Sequence, residues 1–140
     1  MGYILIGVAA EPAIPNTLDE AFAALDMLLK PSERTSFMQT PEREAVVNAH
    51  FGLGLYIRNS WLRSGRSALT SLLSSAGAGA FDDMSSMILT SYWRRLNGEA
   101  IELEKQGACY SRWWREQRRL ISQAEAKGAN SYDGPAFSCP

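Results

Sequence analysis

Apolar positions recur along this chain with a helical period over most of its length. Leu18, Ala21, Phe22, Leu25, Leu28 and Leu29 fall at steps of three and four residues, which puts them on one face of an α-helix. Thr17-Leu18-Asp19-Glu20 stands before them as a capping box, in which threonine hydroxyl and glutamate carboxylate satisfy backbone N–H groups at the helix start. Pro31 closes the segment, because the residue before a proline is pushed out of helical geometry. Ser32 to Gln39 reads as a short helical turn offering Phe37 and Met38 to the core. Thr40-Pro41-Glu42 then opens what the pattern makes the central helix, running to Asn59 or Ser60. Val46, Val47, Phe51, Leu53, Leu55, Tyr56 and Ile57 leave little polar surface in its second half, so neighbouring helices should surround it. Gly52 and Gly54 each cost about 1 kcal/mol relative to alanine inside a helix. The compensation expected is close approach by another helix or an aromatic ring.

Ser67 to Ala76 reads as a short helix turning Leu69, Leu72 and Leu73 inward. Gly77-Ala78-Gly79-Ala80 comes next as the segment expected to be the most mobile internal loop. Asp82 or Asp83 is the expected cap of the next helix, whose inward stripe is Met84, Met87, Ile88, Tyr92 and Leu96. Asn97-Gly98 stops it. A last long helix runs from about Ile101 to Lys127, with Glu102 and Glu104 near its start and Arg112, Arg115, Arg118 and Arg119 further along, an order that suits the helix dipole. The expected fold class is all-α, a single compact bundle of five or six helices. Residues 1–16 form an N-terminal arm, 17–128 the helical domain and 129–140 a disordered tail.

Composition agrees with one globular domain: 140 residues, 46% hydrophobic and 21% charged, long enough to bury a core without staples. Fourteen Lys and Arg against fifteen Asp and Glu leave a net charge of -1. That balance gives no global pull toward nucleic acid or anionic membrane, and any such binding needs a local patch. No apolar run approaches the ~20 residues of a membrane helix. The apolar opening, Met1 to Ala10, lacks a basic leader and reads as a strand or extended arm over the core, with a truncated export signal as the alternative. Cys109 and Cys139 make no metal spacing, and two reduced thiols in a cytoplasmic protein are the favoured reading, with a disulfide as the alternative.

The candidate chemistry lies in two places. His50, Arg58, Asn59, Asp82 and Asp83 include a carboxylate pair, a histidine and an arginine, which can divide acid and base roles or hold a ligand. Against this, His50 and Arg58 stand about 80° apart around a helix, and paired aspartates after a glycine-rich loop are ordinary capping groups. The favoured reading is therefore structural, with one aspartate pairing with Arg58 to fix how two helices dock. The second place is the run from Arg112 to Arg119, where Trp113 and Trp114 interleave with arginines. Arginine and tryptophan grip phosphate and stack on bases, but they also anchor protein interfaces, and Arg112, Trp113, Trp114, Arg115 and Arg119 are read as partner-binding candidates. Consecutive tryptophans point about 100° apart on a helix, so one is expected in the core and the other at its boundary. No phosphate loop, serine elbow or zinc-protease motif is present, and no cofactor and no metal are called for.

Thr17-Leu18-Asp19-Glu20-Ala21, His50-Phe51-Gly52-Leu53-Gly54, Ile57-Arg58-Asn59-Ser60-Trp61, Asp82-Asp83-Met84-Ser85 and Ser91-Tyr92-Trp93-Arg94-Arg95-Leu96-Asn97-Gly98 resemble an uncharacterised family of small bacterial helical domains of unknown function. The resemblance runs from about Thr17 to Trp114. Two positions depart from the family pattern: Arg63 follows Leu62 where a tryptophan is usual, and Ala80-Phe81 replace a His-Pro pair. The resemblance implies a helical fold and no activity. The function expected is a non-enzymatic module that docks on another protein, one form being an immunity protein that neutralises a bacterial toxin. Its alternatives are a small enzyme or ligand binder using His50, Arg58 and Asp82 or Asp83, and a single-stranded nucleic-acid binder working through the last helix.

Overall fold

The computed structural model describes residues 13–129 together with Tyr132, Gly134 and Phe137. In chain order its elements are α1 (Leu18–Leu28), α2 (Pro31–Gln39), α3 (Glu42–Ala49), α4 (Leu53–Ile57) running into a π-helical turn (Arg58–Leu62), α5 (Ala68–Ala76), α6 (Phe81–Leu96) and α7 (Leu103–Ala126). The class is all-α, with seven α-helices among the described residues rather than five or six. The strand or arm expected at the start lies outside the described residues up to Pro12. Of the arm's end, Pro15 is buried and its carbonyl accepts from the Ser67 hydroxyl, while Asn16 Oδ1 accepts from Ala68 N at 3.0 Å. Among the described residues no helix is long and apolar enough to cross a membrane.

Local signals set the helix starts at α1 and α5. Thr17 Oγ1 accepts from Glu20 N at 3.1 Å, and the Glu20 carboxylate reaches one residue beyond the box, to Asn16 N at 2.7 Å. Ser67 Oγ accepts from Leu69 N at 3.1 Å. At α6 the expected aspartate cap is corrected: Ala80 is the N-cap and gives no side-chain bond, while Asp82 and Asp83 sit inside the first turn. Their charge still faces the positive end of the helix.

The larger correction concerns the centre. The helix expected from Pro41 to Asn59 breaks at His50-Phe51-Gly52, where Gly52 (φ -102, ψ -98) leaves helical geometry. Beyond the break, α4 widens into the π turn, closed by Arg63 N to Arg58 O at 3.0 Å. A π turn holds an extra residue and so rotates the next part of the chain about the helix axis. Here Ile57 and Arg58, then Trp61 and Leu62, are buried as adjacent pairs, while Asn59 and Ser60 face outward. The central element is α6, which touches every other helical segment. Its Met87, Ile88, Leu89 and Tyr92 are fully enclosed, and buried Ser85 and Ser91 keep its surface narrow. Tyr92 lies between Phe22 of α1 and Phe37 of α2, at centroid distances of 5.9 and 5.8 Å.

The α5–α7 crossing is backbone against backbone. A Cβ on Gly107 would stand 1.9 Å from Ala76 O, and one on Gly77 (φ +128) 2.2 Å from Gly107 O. The segment Gly77–Ala80, expected to be mobile, is thus pinned from beneath. Ala78 is buried, Gly79 N donates to Asp83 Oδ2 at 3.0 Å, and Trp114 covers Gly79. Gly107→Ala should cost more than about 2 kcal/mol, because the obstructing atoms are main chain and cannot rotate away. Gly98→Ala, with φ +67 and open space around it, should cost about 1 kcal/mol of backbone strain alone. Urea melts of both variants check the order, and equal midpoints would refute the crossing.

Candidate functional site

The first candidate cluster is assembled by the helix break. Ending α3 at Ala49 leaves carbonyls without helical partners, and Arg58, beyond the break, reaches back to them. Its Nη2 donates to His50 O at 3.0 Å and its Nη1 to Ser85 Oγ at 2.9 Å, with His50 Nδ1 3.5 Å away. Its Nε pairs with Asp82 Oδ1 at 3.1 Å. Gly54 makes room for this: a Cβ there would lie 3.0 Å from Arg58 Nη1 and 3.2 Å from Ala49 O. The close approach expected at the glycines is therefore made at Gly54 by the chain's own arginine, not by another helix. Arg58 is 4% exposed and Asp82 66%, so the pair is screened on one side only.

The five candidate residues do not form one site. Asp83 points away from Arg58 and accepts from Trp114 Nε1 at 2.7 Å as well as from Gly79 N. Asn59 is exposed on the π turn. No group of three or more His, Cys, Asp or Glu among the described residues is placed to hold a metal ion. What the arrangement does is dock α3 and α4 onto the start of α6. The end of α6 docks the other side in the same way. Tyr92 donates to Asp26 Oδ1 at 2.5 Å, Trp93 Nε1 to Thr40 O at 2.8 Å, Arg94 to Glu42 and to Ile101 O, Arg95 to Asp19, and Asn97 to Met38 O. The run Tyr92 to Asn97 is a set of clamps on α1, on the α2–α3 junction and on the approach to α7.

The second candidate set lies on α7. Arg115, Arg118 and Arg119 are exposed, Arg112 stands on the same helix, and Arg119 is held by Glu116 at 2.5 Å. That bond holds the Glu116 carboxyl below its usual range. Neither tryptophan is in the buried core, contrary to the expected split. Both are half-buried, Trp114 over Gly79 and Trp113 edge-on to Trp114 at 4.8 Å and to Phe137 at 5.6 Å. The buried positions of α7 are Gly107 and Gln117, and Trp114 meets the bundle from its edge, over Gly79 and onto Asp83.

A third site, which the sequence pattern did not reveal, is a groove of about 430 Å³ between α3, α6 and α7. Val46 and Val47 of α3, Thr90 of α6 and Tyr110 of α7 line it, and Arg43, Arg94 and Lys105 with Glu42 and Glu102 supply its charges. Glu42 and Arg94 pair at 2.5 Å, Glu102 and Lys105 at 2.9 Å. Phe137, in the stretch expected to be a disordered tail, closes one end. Its ring stacks on Tyr110 at 4.3 Å and 2° between planes, and its carbonyl accepts from Arg43 Nη2 at 3.3 Å. Cys109, also lining the groove, is disulfide-bonded, which corrects the expectation of a reduced thiol there. Cys139 lies outside the described residues. No signal in the sequence marks the groove: Val47, which reads as inward, is 63% exposed.

Arg58→Ala should cost about 3 kcal/mol, since Ser85 Oγ and His50 O lose their donor. Asp82→Asn should cost less than about 1 kcal/mol, because the carboxylate is mostly in water. Chemical denaturation checks both, and equal costs would move the weight to the ion pair. Alkali probes the buried phenols instead. Burial pushes the Tyr110 phenol up to about 12, with the Asp83 carboxylate adding and a bond to Ser86 opposing. Burial, then the bond to Asp26, raises Tyr92 as well. A raised phenol favours the neutral ring in the folded state, so its contribution is complete below pH ~10 and is lost as pH rises from there. Tyr110→Phe should flatten the fall in stability between about pH 10 and pH 12 by up to ~3 kcal/mol. An unchanged slope would mean that the phenol is not held neutral.

Residues 14–96 match a family described as a domain of unknown function, DUF6794. The match spans α1 to α6, including the Arg58 cluster and the α6 clamps, and stops before α7. No curated protein and no solved structure matches the chain.

Proposed function

Because the chain belongs to the DUF6794 family, to which no activity is assigned, we propose its function from its own surfaces: it is a non-enzymatic module that binds another protein through the groove between α3, α6 and α7. The observation that carries this reading is the groove wall at Phe137, where its ring is stacked on Tyr110 and its main chain is bonded to Arg43. A surface that holds an aromatic side chain and a backbone carbonyl together is suited to protein segments. Its apolar lining with a charged margin is the pattern of a binding site that excludes water at its centre. Exposed Val47 and Phe51, 63% and 83% accessible, add apolar surface on α3 and just past its end. Neutralising a toxin by docking on it is one concrete form of such a module, carried out in the cytoplasm of a bacterium.

The arginines of α7 stand beside this surface rather than inside it. Arg112, Trp113, Trp114, Arg115 and Arg119 enter the proposal as a flank, in which Trp113 meets Phe137 edge-on and Trp114 covers Gly79. The enzyme reading loses support because every Arg58 nitrogen has a protein partner and the groove includes neither His50 nor Asp82. Single-stranded nucleic-acid binding needs open rings for bases to stack on, and both rings are already packed.

Affinity capture from a native lysate with the intact chain, its Val47→Glu variant and its Arg112→Ala variant tests the proposal. The expected result is a protein retained by the wild-type chain, lost with Val47→Glu and kept with Arg112→Ala at near-equal yield. A captured set unchanged by Val47→Glu, in a variant that melts normally, would overturn the groove as the binding surface.

A further inference from the structure

Charge is matched unevenly along the groove between α3, α6 and α7. Its lining brings three cationic side chains, Arg43, Arg94 and Lys105, together with two carboxylates, Glu42 and Glu102. Both carboxylates are already engaged, Glu42 by Arg94 at 2.5 Å and Glu102 by Lys105 at 2.9 Å. Arg94 spends a further donor on Ile101 O at 2.7 Å. Arg43 differs from both. It is exposed, no carboxylate among the described residues stands within ion-pair distance of it, and it donates to the carbonyl of Phe137 at 3.3 Å. One turn further along α3 stands Val47, 63% exposed. Residues four apart share a helix face, about 6 Å apart along the axis. The α3 wall therefore presents an unmatched cation and an apolar side chain side by side. On an extended chain, side chains of one face repeat every second residue, about 6.6 Å apart. The two spacings match. Elsewhere the lining suits a main chain: Ser86, Thr90 and Gln106 carry groups that bond to amides, beside the stacked rings of Tyr110 and Phe137.

Resting on the protein-binding reading above, we propose that the groove takes an extended, acidic segment of a partner protein, in which a carboxylate and an apolar side chain stand two residues apart. The carboxylate meets the Arg43 guanidinium, whose fork matches it with two parallel hydrogen bonds, and the apolar side chain covers Val47. Arg94 and Lys105 do not serve this purpose, because a new anion there has to displace a glutamate. A basic segment is refused by the same arrangement, since it adds a second cation beside Arg43 and finds both carboxylates already paired. The Arg43 contact lies at the exposed margin of the groove, so it sets the register of the segment and speeds its approach, and both effects weaken as salt rises.

A random heptapeptide library displayed on phage is selected against the intact chain, and the enriched peptides are synthesised, labelled and measured by fluorescence anisotropy. The enriched sequences are expected to carry Asp or Glu two positions from an apolar residue, and replacing that acid by its amide should weaken binding at least about tenfold. Arg43→Gln keeps a donor for the Phe137 carbonyl and loses the charge, so it should abolish the preference for the acid. Arg43→Glu should turn the preference toward Lys and Arg. Both changes are at the surface, and a normal melt confirms the fold of each variant. Enriched peptides that need Val47 but carry no acid, or acidic peptides that bind Arg43→Gln equally well, overturn the acidic segment and leave the groove reading standing. Acidic peptides whose binding ignores Val47→Glu, in a variant that melts normally, fail the groove as the binding surface and this inference with it. No enrichment against the folded chain overturns the inference, while capture from lysate judges the proposed function separately. Decanoate that displaces the selected peptides at a lower concentration than the same peptides unlabelled overturns the protein segment in favour of a small amphipathic acid.

Discussion

A guanidinium with almost no access to water holds this fold in register. Arg58 sits where α3 has ended and α4 has run its length, and it binds the stranded carbonyl of His50, the Ser85 hydroxyl on α6 and the largely solvated Asp82. A buried arginine is costly unless its donors are met, so the arrangement demands three things together. The chain must break after Ala49, residue 54 must lack a Cβ, and α6 must present a small hydroxyl at Ser85. His50, Gly54, Arg58 and the Asp82-to-Ser85 run are one device for docking a broken helix.

Fixing α3 on α6 also fixes one wall of the groove. The far end of α6 completes the work: Arg94 joins Glu42 at the start of α3 to the carbonyl of Ile101 just before α7. The Gly77–Gly107 contact then brings α7 in as closely as backbones allow. The groove between α3 and α7 is what these clamps leave between them. Its floor is α6, and its mouth carries two charge pairs in place of an apolar seal. An open trough with a fixed floor is able to take an extended segment, and the chain's own Phe137 forms part of its wall.

How much of this was legible in sequence depends on the range of the interaction. The Thr17 cap, the Ser67 cap, the stop at Asn97-Gly98 and the inward stripe of α6 are local, and the three-and-four spacing reveals them. The break at His50–Gly52 was not legible, because glycines inside an apolar run read equally as a tolerated helix and as its end. The π turn has no periodic signature at five residues. The sequence points to one aspartate pairing with Arg58, but not to Asp83 turning to Trp114, since adjacent carboxylates give no hint of which faces which neighbour. Gly107 gives no local signal, because a glycine within a strongly helical segment costs only about 1 kcal/mol and its contact, Ala76, is distant in sequence. The groove itself joins Val46 to Tyr110 and Phe137. No local pattern links such positions, and a polar, proline-containing tail conceals its one anchoring ring.

The central claim is that the Phe137 ring packs on Tyr110 and Trp113 and so forms part of the wall of the α3–α7 groove. Proton NMR of the intact oxidised chain tests it most directly. Stacking at 4.3 Å on Tyr110 and edge contact with Trp113 predict ring-to-ring NOEs from Phe137 to both and strong upfield shifts of its ring protons. A Phe137 spin system at random-coil shifts, without NOEs to Tyr110, would contradict the account.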